Sequence, residues 1–144
     1  RLPDVNCAFG VSQLRKLDRF VTRRAYLAGR YRELLAPLSP LVDLVPQPEG
    51  VRSALHLFVV RIDFKAAGKS RRKVMEGLRA KGVGTQVHYI PVPWQPYWRQ
   101  VNGEQALPGA TGWYESCLSL PLYPSMSDGD PRRVVEALAE VLRA

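Results

Sequence analysis

Along the first 35 residues, apolar side chains return every three or four positions. Val5, Ala8, Phe9, Leu14, Leu17, Val21, Ala28, Tyr31 and Leu35 form one series, with Gln13, Arg15, Lys16, Asp18, Arg19, Arg23 and Arg24 between them. That spacing predicts one amphipathic helix over residues 3–35. Pro3 suits its first turn, Asp4 adds a favourable charge there, and Pro37 and Pro40 end it. At ~1.5 Å per residue the helix would run roughly 50 Å. A helix that long outruns the core of so small a chain and is expected to need a partner surface.

The rest of the chain reads as short alternating elements. Residues 37–54 hold four prolines and predict an extended connector with a short strand at 41–44. Residues 55–64 (LHLFVVRIDF) are rich in β-branched and aromatic types and form the strongest strand signal. Ser70 is placed to cap a helix whose buried face is Val74, Met75 and Leu78, and Gly82 suits the left-handed position past its end. Arg71, Arg72 and Lys73 crowd its first turn, against the helix dipole, and are expected to stay in solvent. Residues 84–89 predict a short strand. Pro91, Pro93 and Pro96 exclude a central strand or helix after it, leaving a rigid loop with Trp94, Tyr97 and Trp98. Residues 99–112 predict a mobile polar loop, residues 113–117 a helical turn, and residues 118–122 a strand. Ser127 with Asp130 three positions on announces a last helix lined by Val134, Val135, Leu138, Val141 and Leu142. The expected class is α+β: a small sheet with helices against one face. The long helix of residues 1–36 is set apart from a domain of residues 37–144.

Composition narrows the function classes. The 144 residues suit one domain, and with 46% hydrophobic residues the chain is expected to fold. No apolar run approaches the ~20 residues of a membrane span, so no membrane association is expected. Position 1 is Arg rather than Met, which suggests an excised or processed piece. The net charge of +8 invites a nucleic-acid reading, but the basic residues are dispersed, so none is expected. Cys7 and Cys117 stand far apart without metal-site spacing and are expected to be reduced thiols of a cytoplasmic protein, with a disulfide left open.

The search for chemistry gives little from spacing alone. Gly82-Val83-Gly84 follows a helix instead of opening one, so it is a turn and no phosphate loop. Two histidines without neighbouring cysteines make no metal site. His56, inside the strongest strand, is expected to be a hydrogen-bonded structural residue. His88 and Tyr89 stand where a strand enters the proline-aromatic loop. With Trp94 and Tyr97 they could line a pocket that stacks a base or sugar, or they could pack on the sheet.

Three segments together carry a resemblance. Residues 1–17 (RLPDVNCAFGVSQLRKL), 82–99 (GVGTQVHYIPVPWQPYWR) and 118–128 (LSLPLYPSMSD) resemble, in order and spacing, three motifs of the DegT/DnrJ/StrS sugar aminotransferases. The second is similar to G-I-G-T-Q-V-H-Y-I-P-V-x-x-Q-P-Y-Y-R, a block that points to the UDP-4-amino-4,6-dideoxy-N-acetyl-β-L-altrosamine transaminases of pseudaminic acid biosynthesis. The resemblance implies the small C-terminal domain of a fold type I aminotransferase, preceded by an interdomain helix. It implies pyridoxal 5'-phosphate held by a large domain that this chain lacks, together with the catalytic lysine. It implies glutamate as donor, a UDP-linked 4-keto-6-deoxy sugar as acceptor, and a homodimer with active sites at the subunit interface. By motif position it implies that Arg1, His88, Tyr89, Trp94, Gln95 and Tyr97 face the substrate. None of the chain's lysines matches the family lysine. The departures are Pro3, Asn6, Cys7, Phe9, Trp94 and Trp98.

Overall fold

The structure is a computed structural model and describes residues 1–144. In chain order its elements are helices α1 (Asp4–Leu14) and α2 (Leu17–Leu35), strands β1 (Val42–Leu44) and β2 (Phe58–Ile62), and helices α3 (Arg71–Ala80), α4 (Pro96–Asn102) and α5 (Pro108–Ser116). Strand β3 (Cys117–Leu120) and helix α6 (Asp130–Arg143) complete it. The three strands form one antiparallel sheet with β2 in the middle, Val42 opposite Ile62 and Val60 opposite Leu118.

Alternation along β2 sends Phe58, Val60 and Ile62 to one face, where all three are buried. Three helices cover that face. α2 contributes Leu27, Ala28, Tyr31 and Leu35, α3 contributes Val74 and Leu78, and α6 contributes seven buried residues including Val134 and Leu138. Each such side chain is worth roughly 1.5–3 kcal/mol when fully buried. Tyr31 ties the layers together. Its ring stacks on Phe58 at 4.7 Å, and its hydroxyl donates to the Pro121 carbonyl at 2.9 Å. Burial pushes its phenol far above the usual range.

The N-terminal helix is not continuous. It breaks at Arg15–Lys16, where the Lys16 N–H turns to Gln13, three residues back, at 2.9 Å. The pattern changes phase there: Val5, Phe9 and Val11 scatter around the axis of α1, and only Leu14, seven residues before Val21, keeps step with the stripe of Leu17, Val21, Ala28 and Leu35. α1 accordingly buries no residue, and Val5, Phe9 and Leu14 are each about two-thirds exposed. The apolar surface that the sequence left without a core is therefore open along α1.

Residues 99–112 are also not one loop. Pro96 and Pro108 each open a helix, α4 and α5. A proline in the first helical turn loses no hydrogen bond there and presets φ, so these prolines start helices instead of forbidding them. The expected strand at 84–89 reduces to one bridge, Gln86 to Ser119. His56 lies outside β2; its ring is exposed and unbonded, and only its carbonyl is used, accepting from Arg24 at 3.3 Å.

The helix signals hold more closely. The Ser70 hydroxyl accepts from the Lys73 N–H at 3.3 Å, and Gly82 has φ of 73°. At the start of α6 only half of a capping box forms: the Asp130 carboxylate accepts from the Ser127 N–H at 2.7 Å.

Candidate functional site

The site is built outward from β3. Leu118 and Leu120 enter the core, so Ser119 between them points to the opposite face. It is nevertheless 5% exposed, the single buried polar residue of the chain. Its backbone exchanges both hydrogen bonds with Gln86, at 2.8 and 3.2 Å. Two residues beyond Gln86, His88 falls on the same side as Ser119, and its Nδ1 lies 2.8 Å from the Ser119 Oγ. The Tyr89 ring meets the His88 ring edge-on at 4.7 Å and 88° and is 74% exposed. The His88–Tyr89 peptide bond is cis.

From Tyr89 the chain passes through a 3-10 turn, Val92–Trp94, into α4. Trp94 is half-buried because its ring packs edge-on against Tyr114 of α5 at 5.3 Å. On Tyr114 sits a cation: the Arg71 guanidinium lies 4.5 Å from the ring centroid and donates to the carbonyls of Tyr114 and Cys117. Arg71 is thus consumed in holding α5 and the loop, while Arg72 pairs with Glu76 at 2.8 Å and Lys73 stays in solvent. Buried below them, the Cys117 thiol is pushed up by desolvation, with Arg71 opposing. Cys7 and Cys117 are both free thiols, the first exposed.

The six residues expected at the site are only partly assembled. His88 and Tyr89 touch each other, and Trp94 is anchored through Tyr114. Gln95 and Tyr97 stand in solvent at the start of α4, Tyr97 with 76% exposure, and Arg1 is exposed ahead of α1. The pocket expected between His88, Tyr89, Trp94 and Tyr97 is not enclosed by this chain, since Trp94 turns to Tyr114 while both tyrosines point outward. What forms is a smaller open ledge of His88 and Tyr89, their rings edge-on at 4.7 Å. The larger clefts lie elsewhere. One joins Arg19, Phe20, Arg23 and Arg24 to Pro124 and Ser125; another, apolar, joins Leu44, Val51, Leu57 and Val59 to Trp113.

Two residues of this arrangement escaped sequence reasoning. Ser119 was legible from alternation, as the one position in 118–120 that must face away from the core. Arg71 was not, because its partner Tyr114 lies 43 residues on.

Lys16 and Lys69 are half-buried, Lys65, Lys73 and Lys81 are exposed, and Lys81 pairs with Glu140. No three His, Cys, Asp or Glu side chains converge as a metal site, and no helix is long and apolar enough to cross a membrane.

Residues 1–139 match the model of the DegT/DnrJ/EryC1/StrS aminotransferase family. The spore coat polysaccharide biosynthesis protein SpsC of Bacillus subtilis is 38% identical over 143 residues, 97% of this chain and 36% of SpsC. Among solved structures, DesI, determined in the presence of its TDP-sugar product, is 29% identical with a TM-score of 0.82, over 93% of this chain and 34% of DesI. Helicobacter pylori PseC, an aminotransferase of pseudaminic acid biosynthesis, is 22% identical with a TM-score of 0.89, over 99% of this chain and 38% of PseC. At that identity PseC bears on the fold alone. The chain spans about a third of the length of the proteins it matches.

Proposed function

The chain belongs to the DegT/DnrJ/EryC1/StrS family of sugar aminotransferases, and from that premise we propose that it is the substrate-side portion of a pyridoxal-phosphate-dependent enzyme that aminates a nucleotide-linked keto sugar. The observation that carries the reading is the ledge: the His88 imidazole, 2.8 Å from the buried Ser119 hydroxyl, with the exposed Tyr89 ring edge-on against it. Aromatic faces of this kind suit the sugar ring or the base. His88 and the Gln95 amide supply hydrogen bonds to sugar or diphosphate oxygens, and the Arg1 guanidinium matches a phosphate in charge and shape. DesI, seen with its TDP-sugar product, supports a nucleotide-sugar as the ligand class. The block at residues 82–99 supports the finer reading, a UDP-linked 4-keto-6-deoxy sugar with glutamate as donor.

Pyridoxal phosphate, when bound, supplies the carbonyl that carries the amino group from donor to acceptor. We place its lysine outside this chain, since no lysine here is buried in a pocket. The open apolar surface of α1 supports residues 1–36 as an interdomain helix, covered by the rest of a homodimeric, cytoplasmic enzyme. The test has two arms. The full-length protein with pyridoxal phosphate and glutamate should aminate a UDP-4-keto-6-deoxy hexose, read by mass spectrometry of the sugar nucleotide. The 144-residue chain alone should retain no pyridoxal phosphate after gel filtration. Retained cofactor would overturn the placement of the lysine, and an inert full-length protein would favour a non-catalytic nucleotide-sugar-binding module.

A further inference from the structure

Ser119 has one hydrogen-bond partner for its side chain, the Nδ1 of His88 at 2.8 Å. The residue is 5% exposed, so solvent does not supply another. A serine hydroxyl can donate once and accept; a neutral imidazole has one N–H donor and one bare acceptor nitrogen. Two arrangements satisfy the 2.8 Å contact. If Nδ1–H donates to Oγ, the buried hydroxyl hydrogen is left with no acceptor. If the hydroxyl donates to a bare Nδ1, the hydroxyl hydrogen has its acceptor and both members of the pair are satisfied.

The geometry points to Ser119 as the positioning residue of His88, fixing the neutral ring with its proton on Nε2. The backbone makes the hold rigid, because the paired bonds between Ser119 and Gln86 set the distance from which Oγ meets the ring. Nε2 has no partner within the chain, so it is the polar atom presented to a ligand. As Nε2–H it is a donor. His88 then recognises an acceptor oxygen, such as a sugar hydroxyl, carbonyl or phosphate oxygen, and does not serve as the base that removes a proton. Tyr89 meets the same ring edge-on at 4.7 Å.

This inference rests on the reading of His88 as a substrate contact, and the experiment separates the two. The full-length protein is labelled with 15N-histidine, and His88 is assigned by comparison with H88Q. Long-range proton–nitrogen correlation at about pH 8, above the usual histidine range, reports which ring nitrogen carries the proton. The expected wild-type result is Nε2–H. S119A should give mixed tautomers and raise KM for the nucleotide-sugar about fivefold with kcat little changed, the size of one lost hydrogen bond. S119T, which keeps the hydroxyl, should restore both. A wild-type Nδ1–H tautomer, or a tautomer unmoved in S119A, overturns the proposal, and the wild-type spectrum decides even where S119A does not fold. A pinned Nε2–H tautomer with KM unmoved in both S119A and H88A overturns the substrate role of His88 while the pairing stands.

Discussion

Gly77 sits in the middle of α3, where a residue with a side chain would ordinarily be preferred. Replacing glycine by alanine in a helix interior is worth roughly 1 kcal/mol in propensity. Here the gain is opposed by packing. A Cβ at position 77 would lie 2.9 Å from Val141 Cγ1 and 3.1 Å from Cγ2, both on α6. Val141 cannot simply turn away: β-branched side chains are stiff in helices, and rotation exchanges one methyl for the other. It is also 8% exposed and enclosed by the core. Overpacking of this kind costs typically about 1–3 kcal/mol, so Gly77→Ala should be net destabilising by about 1 kcal/mol. Val141→Ala removes both methyls and should itself cost about 1–2 kcal/mol, as buried methyl deletions do. In that background the clash is gone, and Gly77→Ala should become stabilising by about 1 kcal/mol. Urea unfolding of the two single variants and the double variant completes the cycle. The reasoning is refuted if Gly77→Ala has the same sign in both backgrounds.

Other expectations concern titratable groups. Brief maleimide treatment of the 144-residue chain followed by peptide mapping should find Cys7 modified and Cys117 untouched, with Cys117 labelled only on unfolding. Because burial raises Cys117 in the folded state, the stability it contributes is full below the ordinary thiol range and is lost as pH climbs past it; Cys117→Ala should flatten that alkaline fall in Tm. The bond from the Ser127 N–H holds the Asp130 carboxyl below its usual range, so its contribution is present above the ordinary carboxylate pKa and lost as pH falls through the folded value. Asp130→Ala should lower Tm at neutral pH and shrink the difference from wild type in acid.

Much of this fold was legible because short-range rules dominated it. The alternation of Phe58, Val60 and Ile62, the Ser70 cap, the Gly82 turn and the α6 stripe are each set by residues within one element. The misreadings share a different origin. Pro96 and Pro108 carry the same chemistry whether they end a helix or open one, and only the neighbouring geometry decides. The break at Lys16 follows from apolar phase, which a count of three- and four-residue steps does not register. His88 and Tyr89 were singled out by motif, but their setting depends on contacts far apart in sequence. Ser119 reaches His88 across 31 residues, and Arg71 reaches Tyr114 across 43. Of the two readings left open for the loop aromatics, Trp94 takes the packed one, against Tyr114 twenty residues on, while Tyr89 meets only the neighbouring His88 ring and both Tyr89 and Tyr97 stay exposed.

The central claim is that the ledge led by His88 grips the acceptor sugar nucleotide and leaves the amino donor to other parts of the enzyme. Steady-state kinetics of the full-length protein carrying His88→Ala, varied separately in nucleotide-sugar and in glutamate, tests it most directly. The account predicts that KM for the nucleotide-sugar rises about five- to tenfold, the loss of one hydrogen bond to a ligand, while KM for glutamate stays unchanged. An unchanged KM for the nucleotide-sugar, or an equal rise for both substrates, would contradict it.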